Sequence, residues 1–178
     1  KEDPKQVIAC LKTILEREPN NRPILEKLAE LHAQLGQRDE SATCWKLLAN
    51  SFLDEGDLAG AEGSLRKSLA LNPKDIVTWQ KVLDTVRKGG APKKLEVFGA
   101  ELAERFKSLG LMEVVRDHLA EMVKAFPENL DFKLGLADAR FALGDHKACV
   151  ADLLALGLEY HKKQRWPEAE RVFGQVLK

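Results

Sequence analysis

The chain has little of what would tie it to catalysis, to a membrane or to nucleic acid. Its three cysteines, Cys10, Cys44 and Cys149, are an odd and sparse set. They cannot close a disulfide framework, and they suit a reducing, cytoplasmic compartment. There is no surplus of charge of either sign: 28 Lys and Arg stand against 28 Asp and Glu, for a formal net charge of zero. That excludes the basic excess of a dedicated nucleic-acid binder and the one-signed tract that stays disordered. No apolar run nears the ~20 residues of a membrane-spanning helix, so no membrane insertion is expected, and no signal peptide is visible at the start. Phosphate-binding Walker sequences, dinucleotide glycine fingerprints and paired-histidine zinc motifs are all missing. No stretch alternates with period two between turn residues, so no strand is expected.

What the chain does have is helical periodicity. Ile24, Leu25, Leu28, Leu31 and Leu35 recur at spacings of three and four, the apolar stripe of an amphipathic helix. Trp45, Leu48, Ala49 and Phe52 repeat the pattern, as do Leu95, Phe98, Leu102 and Phe106. The breaks between stripes are short and marked by glycine or proline.

Those breaks recur at a fixed step. Pro19, Pro73 and Pro127 are each 54 residues apart, and so are Gly36, Gly90 and Gly144. Gly56 and Gly110 keep the same step, with Gln164 next. Apolar columns obey it too: Phe52, Phe106, Tyr160; Ala49, Ala103, Gly157; Leu11, Leu65, Leu119, Phe173. So many agreeing columns define an internal repeat. Each unit holds three helices. The spacing predicts 23–35, 38–55 and 57–71, then 75–88, 92–109 and 111–125, then 129–143, 146–163 and 166–177. A helix over 5–17 aligns with the third helix of an earlier unit. The expected organisation is one helical-repeat domain, 1–178, with units 20–73, 74–127 and 128–178. Beginning and ending on third helices, it reads as a piece of a longer array or multidomain protein.

Residues 42–75, ATCWKLLANSFLDEGDLAGAEGSLRKSLALNPKD, resemble a tetratricopeptide (TPR) repeat. Trp45, Leu48, Ala49 and Phe52 match the first helix, Gly56 the turn, Ala61, Leu65 and Ser68 the second helix, and Pro73 the closing proline. Copies over about 96–129 and 150–178, and a partial copy ending at Pro19, extend the resemblance to nearly the whole chain. It implies an all-α fold: an α-solenoid of about ten helices wound as a right-handed superhelix. The array is a variant, because ordinary TPR units step by about 34 residues and two helices. An armadillo- or HEAT-type repeat is the alternative, since three-helix units occur there. With three helices per unit, strict alternation of layers puts equivalent helices of successive units on opposite layers.

Candidate chemistry is thin. His146 and Cys149 lie three apart on one helix, but no second ligand pair converges on them, so neither a metal nor a cofactor is expected. The Gly89-Gly90 turn in RKGGAPKK could hold an anion, though a helix joint with solvated lysines is the plainer reading. Carboxylates are scattered and no nucleophile has a partner, so no enzyme activity is expected. The best ligand clue is Lys46 with Asn50, four apart on one helical face. In TPR proteins that bind carboxyl tails of chaperones, a lysine and an asparagine at these places clamp a carboxylate. Asp84 stands where the next helix of such a clamp carries another asparagine. Gln80 and Arg87 on that helix complete the candidate partner-binding set.

The resemblance implies a scaffold that docks peptide or helical segments of partner proteins for complex assembly, without cofactor or catalysis, and the charge balance adds that no nucleic-acid partner is expected. The alternative is a structural self-assembly or oligomerisation module of a larger machine or of a multidomain regulatory protein.

Overall fold

The computed structural model describes residues 3–177. Among the described residues there are ten α-helices and no strand: α1 Pro4–Arg17, α2 Arg22–Gln34, α3 Arg38–Asp54, α4 Leu58–Leu71, α5 Ile76–Lys88, α6 Pro92–Ser108, α7 Met112–Ala125, α8 Leu130–Ala142, α9 His146–Lys162 and α10 Trp166–Val176. Most helices start or stop a residue or so inside the predicted bounds, where caps such as Asp57 and Leu111 sit outside the hydrogen-bonded ladder, while α1 and α2 each begin one residue earlier than predicted.

The repeat is written in the caps. Asn21, Asp75 and Asn129, each 54 residues from the next, accept the backbone N–H three residues on, at 3.2, 3.0 and 3.1 Å. Each satisfies one orphan donor of a helix start. The other joints close in the left-handed region. Gly36, Gly56, Gly90, Gly110 and Gly144 have φ between +66° and +88°, and Gln164 completes its column at +58°. In five of these six joints the next N–H donates back to the residue five before it: Gln37 to His32, Asp57 to Phe52, Leu111 to Phe106, Asp145 to Arg140 and Arg165 to Tyr160. This is the Schellman closure, which satisfies terminal carbonyls.

The chain divides into two compact units, Lys1–Leu95 and Glu96–Lys178. In the first, α1 to α5 pack each against the next. Lys67 of α4 pairs with Glu26 of α2 at 3.4 Å. Lys46 and Asn50 of α3 reach Asp75 and Lys81 at α5. Odd and even helices therefore form two layers. As a result α1 and α4, which occupy the same place in the repeat, lie in different layers. The core gathers Ile8, Leu25, Leu28, Cys44, Trp45 and Leu48, with Phe52 and Leu71 against it. Each fully buried leucine contributes about 1.5–3 kcal/mol. In the second unit, α8 is flanked by α7 and α9 and meets α10 through an Arg171–Asp131 pair at 2.6 Å and a Gln175–Asp138 hydrogen bond. Leu134, Leu153, Tyr160 and Val172 centre its core.

Two columns trade bulk between neighbouring helices. Where the first copy has Ala49 and Leu65, the last has Gly157 and Phe173. A Cβ on Gly157 would lie 2.5 Å from the Phe173 ring, so the larger ring stands where the smaller residue leaves room. Where the first copy has Trp45 and Ser68, the second has Gly99 and Met122, and the Met122 thioether lies where a Gly99 Cβ would project. The His118 Nε2–H, from α7, donates to the Gly99 carbonyl at 2.8 Å. A third contact repeats after two steps. The Ser41 hydroxyl donates to the Ala29 carbonyl at 2.7 Å, and the Cys149 thiol donates to the Ala137 carbonyl at 3.2 Å. Ser41 and Cys149, two repeats apart, thus each bond the preceding helix.

Candidate functional site

The layering opens two clefts of the same construction. In the first unit, α1 and α3 stand either side of α2 and leave a cleft of about 450 Å³ over Leu15, Leu28, Cys44 and Leu47. In the second, α7 and α9 stand either side of α8 and leave about 300 Å³ over Val123, Leu136, Leu153 and Leu156. Leu15 and Val123, Leu28 and Leu136, and Cys44 and Asp152 are each 108 residues apart, two full repeats.

Two wall positions repeat, Leu15 with Val123 and Leu28 with Leu136, while Cys44 in the first wall becomes Asp152 on the second rim. Lys12, Asp39 and Glu40 edge the first cleft, with His32 half inside. The His32 ring is fixed by a 2.6 Å hydrogen bond between Nδ1 and the Gln37 side-chain oxygen. Lys133, Arg140 and Asp152 edge the second, where Arg140 pairs with Asp152. The Lys133 ammonium lies 5.6 Å from the centroid of the buried Tyr160 ring. Cys44 faces the first cleft, and burial pushes its thiol above the usual range. Desolvation also raises Cys149, helped by Asp138 and Asp152. Buried thiols of this kind resist conversion to the nucleophilic thiolate.

The candidate residues from the sequence separate into two groups. Lys46 bonds Asp75 at 3.2 Å, and Asn50 accepts from Lys81. Burial alone would raise the Asp75 carboxyl, but bonds from the Thr78 N–H and hydroxyl and from Lys46 outweigh it and hold the group below its ordinary value. Lys46 and Asn50 are therefore tied into the seam between α3 and α5. Gln80 is exposed on α5, and Arg87 is exposed with Asp84 at 3.5 Å. At the glycine pair, the Gly89 N–H is bonded to Thr85 and the Gly90 N–H to Arg87, so both serve the helix end. His146 leans its ring on Phe141 at 4.3 Å while Cys149 bonds the α8 backbone, so the two do not converge. Among the described residues no three His, Cys, Asp or Glu side chains gather as a metal site, and no helix is long and apolar enough to cross a membrane.

Sequence reasoning did not find the clefts. The available signal was Leu47, an apolar residue off the buried stripe of α3, which is 49% exposed.

No protein-family model and no curated protein matches the chain. Solved structures do. MamA residues 41 to the end, from Desulfovibrio magneticus RS-1, is 14% identical over 92% of this chain and 98% of that one, with a TM-score of 0.38. A Podosopora anserina protein described as a putative kinesin light chain with nearly identical TPR-like repeats is 15% identical over 99% and 95%, at 0.35. A tetratricopeptide repeat protein from Parabacteroides merdae is 14% identical over 98% and 86%, at 0.30. In this chain Ala49 and Ala61 are fully buried on adjacent helices, Gly56 turns between them in the left-handed region, and the pattern is copied at a 54-residue step. The fold is a TPR-like array of helix pairs, drawn out to three helices per repeat.

Proposed function

We propose that the chain is a protein-interaction scaffold that docks peptide or helical segments of partner proteins. The observation that carries this reading is the pair of apolar clefts, one in each compact unit, built in part from the same repeat positions. A cleft with aliphatic walls and charged rims suits a segment presenting aliphatic anchors. The three free thiols support a reducing compartment.

The test is selection of displayed random peptides on the full chain, followed by Leu47→Asp and Leu156→Asp. Both side chains are at least partly exposed, so the variants should keep their helical circular dichroism. Selected peptides should lose binding to one variant or the other. Failure to select any peptide, or binding indifferent to both changes, would refute docking at these clefts.

Self-assembly is the second reading, and one observation favours it. Leu154 and Leu158, one turn apart on α9, are 42% and 55% exposed, and Trp166 at the start of α10 is also 55% exposed. Contiguous exposed apolar side chains mark contact surfaces. Light scattering over a range of concentrations separates the readings: a rise in mass abolished by Leu158→Lys would favour assembly, and a constant monomer would favour docking.

A further inference from the structure

The two clefts share walls but not charge, and this contrast goes further than docking in general. At the α1–α3 cleft, one lysine, Lys12, faces two carboxylates, Asp39 and Glu40. At the α7–α9 cleft, two cations, Lys133 and Arg140, face one carboxylate, Asp152. The charges sit at different repeat positions in the two clefts: Lys133 and Arg140 stand two repeats on from Leu25 and His32, and Asp152 from Cys44. Asp39, two repeats on, becomes Lys147, and Glu40 becomes Ala148.

Within the second rim the cations are not equally committed. Arg140 is already paired with Asp152. Lys133 makes no contact ion pair among the described residues, although it lies near enough to the Glu159 carboxyl, which is bonded to Lys163, to help hold that group below its ordinary value. Its ammonium stands beside the face of Tyr160, a ring that is 1% exposed and so cannot swing away. That contact orients the lysine without neutralising it. Lys133 and Arg140 are seven residues apart, two turns on one face of α8, with Leu136 and Ala137 between them.

Resting on the docking reading above, we propose that the α7–α9 cleft recognises a segment of a partner protein that presents aliphatic side chains next to a carboxylate. The aliphatic groups enter between Val123, Leu136 and Leu156, and the carboxylate meets Lys133. The α1–α3 cleft, with the opposite rim, disfavours the same segment. Complementary charge selects among otherwise equivalent apolar grooves because a like-charged rim penalises the wrong occupant.

The experiment uses the full chain and two fluorescein-labelled amphipathic peptides with the same leucines, flanked by glutamates in one and by lysines in the other. Binding is read by anisotropy. The glutamate peptide should bind about three- to tenfold more tightly, the range that a partly exposed charge contact supports, and raised salt should shrink the difference. Lys133→Glu should remove or reverse the preference, and Lys133→Ala should weaken it by a smaller factor. Leu156→Asp should abolish binding of the glutamate peptide, whereas Leu47→Asp at the other cleft should leave it unchanged. Equal binding of both peptides, insensitive to Lys133→Glu but lost in Leu156→Asp, would overturn the charge selection and leave docking standing. Loss in Leu47→Asp instead would place the segment in the other cleft and overturn the assignment. No binding of either peptide would overturn the proposal, while peptide selection on the same chain reports separately on docking.

Discussion

Replacing Gly157 with alanine tests how the repeat conserves volume between neighbouring helices. A methyl built on Gly157 lies 2.5 Å from Cε1 and 2.8 Å from Cζ of Phe173, well inside contact distance. Overpacking of this kind costs about 1–3 kcal/mol, and the alanine returns about 1 kcal/mol of helix propensity. Gly157→Ala should therefore destabilise by up to about 2 kcal/mol. Phe173→Leu alone leaves a gap beside the glycine and should cost about 1–3 kcal/mol. The double variant recreates the Ala49–Leu65 pairing of the first copy, so its loss should fall short of the sum by about 1–2 kcal/mol. Urea unfolding of the four proteins, with circular dichroism as the probe, gives the cycle. Additive losses would show that the two positions do not share one space and would refute the compensation.

Three further outcomes follow from single sites. Among the described residues the Tyr160 hydroxyl is buried with no hydrogen-bond partner, and phenylalanine fills the same column at positions 52 and 106. Tyr160→Phe should stabilise by about 1 kcal/mol, a rise of about 2–4 °C in Tm, since an unsatisfied buried hydroxyl is a cost; a fall in Tm would mean that the hydroxyl is satisfied. The Asp75 carboxyl is held below its unfolded value, so its contribution is present above that value and lost as pH falls through the folded one. Asp75→Asn keeps the cap, as Asn21 and Asn129 do, and should flatten the acid limb of a stability–pH profile; an unchanged limb would refute the Lys46–Asp75 account. Of the three thiols, exposed Cys10 should label fast, while buried Cys44 and Cys149 should label only on opening. Three equal rates would contradict the core assignment.

Much of the fold is legible in the residue order because local rules carry it. Glycine at Gly36, Gly56, Gly90, Gly110 and Gly144 and proline at Pro19, Pro73 and Pro127 announce the joints, and the joints are where the helices end. The second copy is harder to see because Gly99 stands where the first has Trp45. Its packing is restored from α7, by Met122 and His118, residues that no local pattern links to it. The site is less legible still. Lys46 looks available in sequence, yet it is bonded to Asp75, 29 residues away. The clefts depend on which helices share a layer, and that follows from the odd number of helices per unit and from contacts between helices that are not consecutive.

Docking at the clefts is tested most directly by amide hydrogen exchange on the full chain with and without the glutamate-flanked peptide. Added protection should be concentrated in the segments around Val123, Leu136 and Leu156, with the segments around Leu15, Leu28 and Leu47 unchanged. Protection spread evenly along the chain, or confined to the segments around exposed Leu154, Leu158 and Trp166, would contradict it.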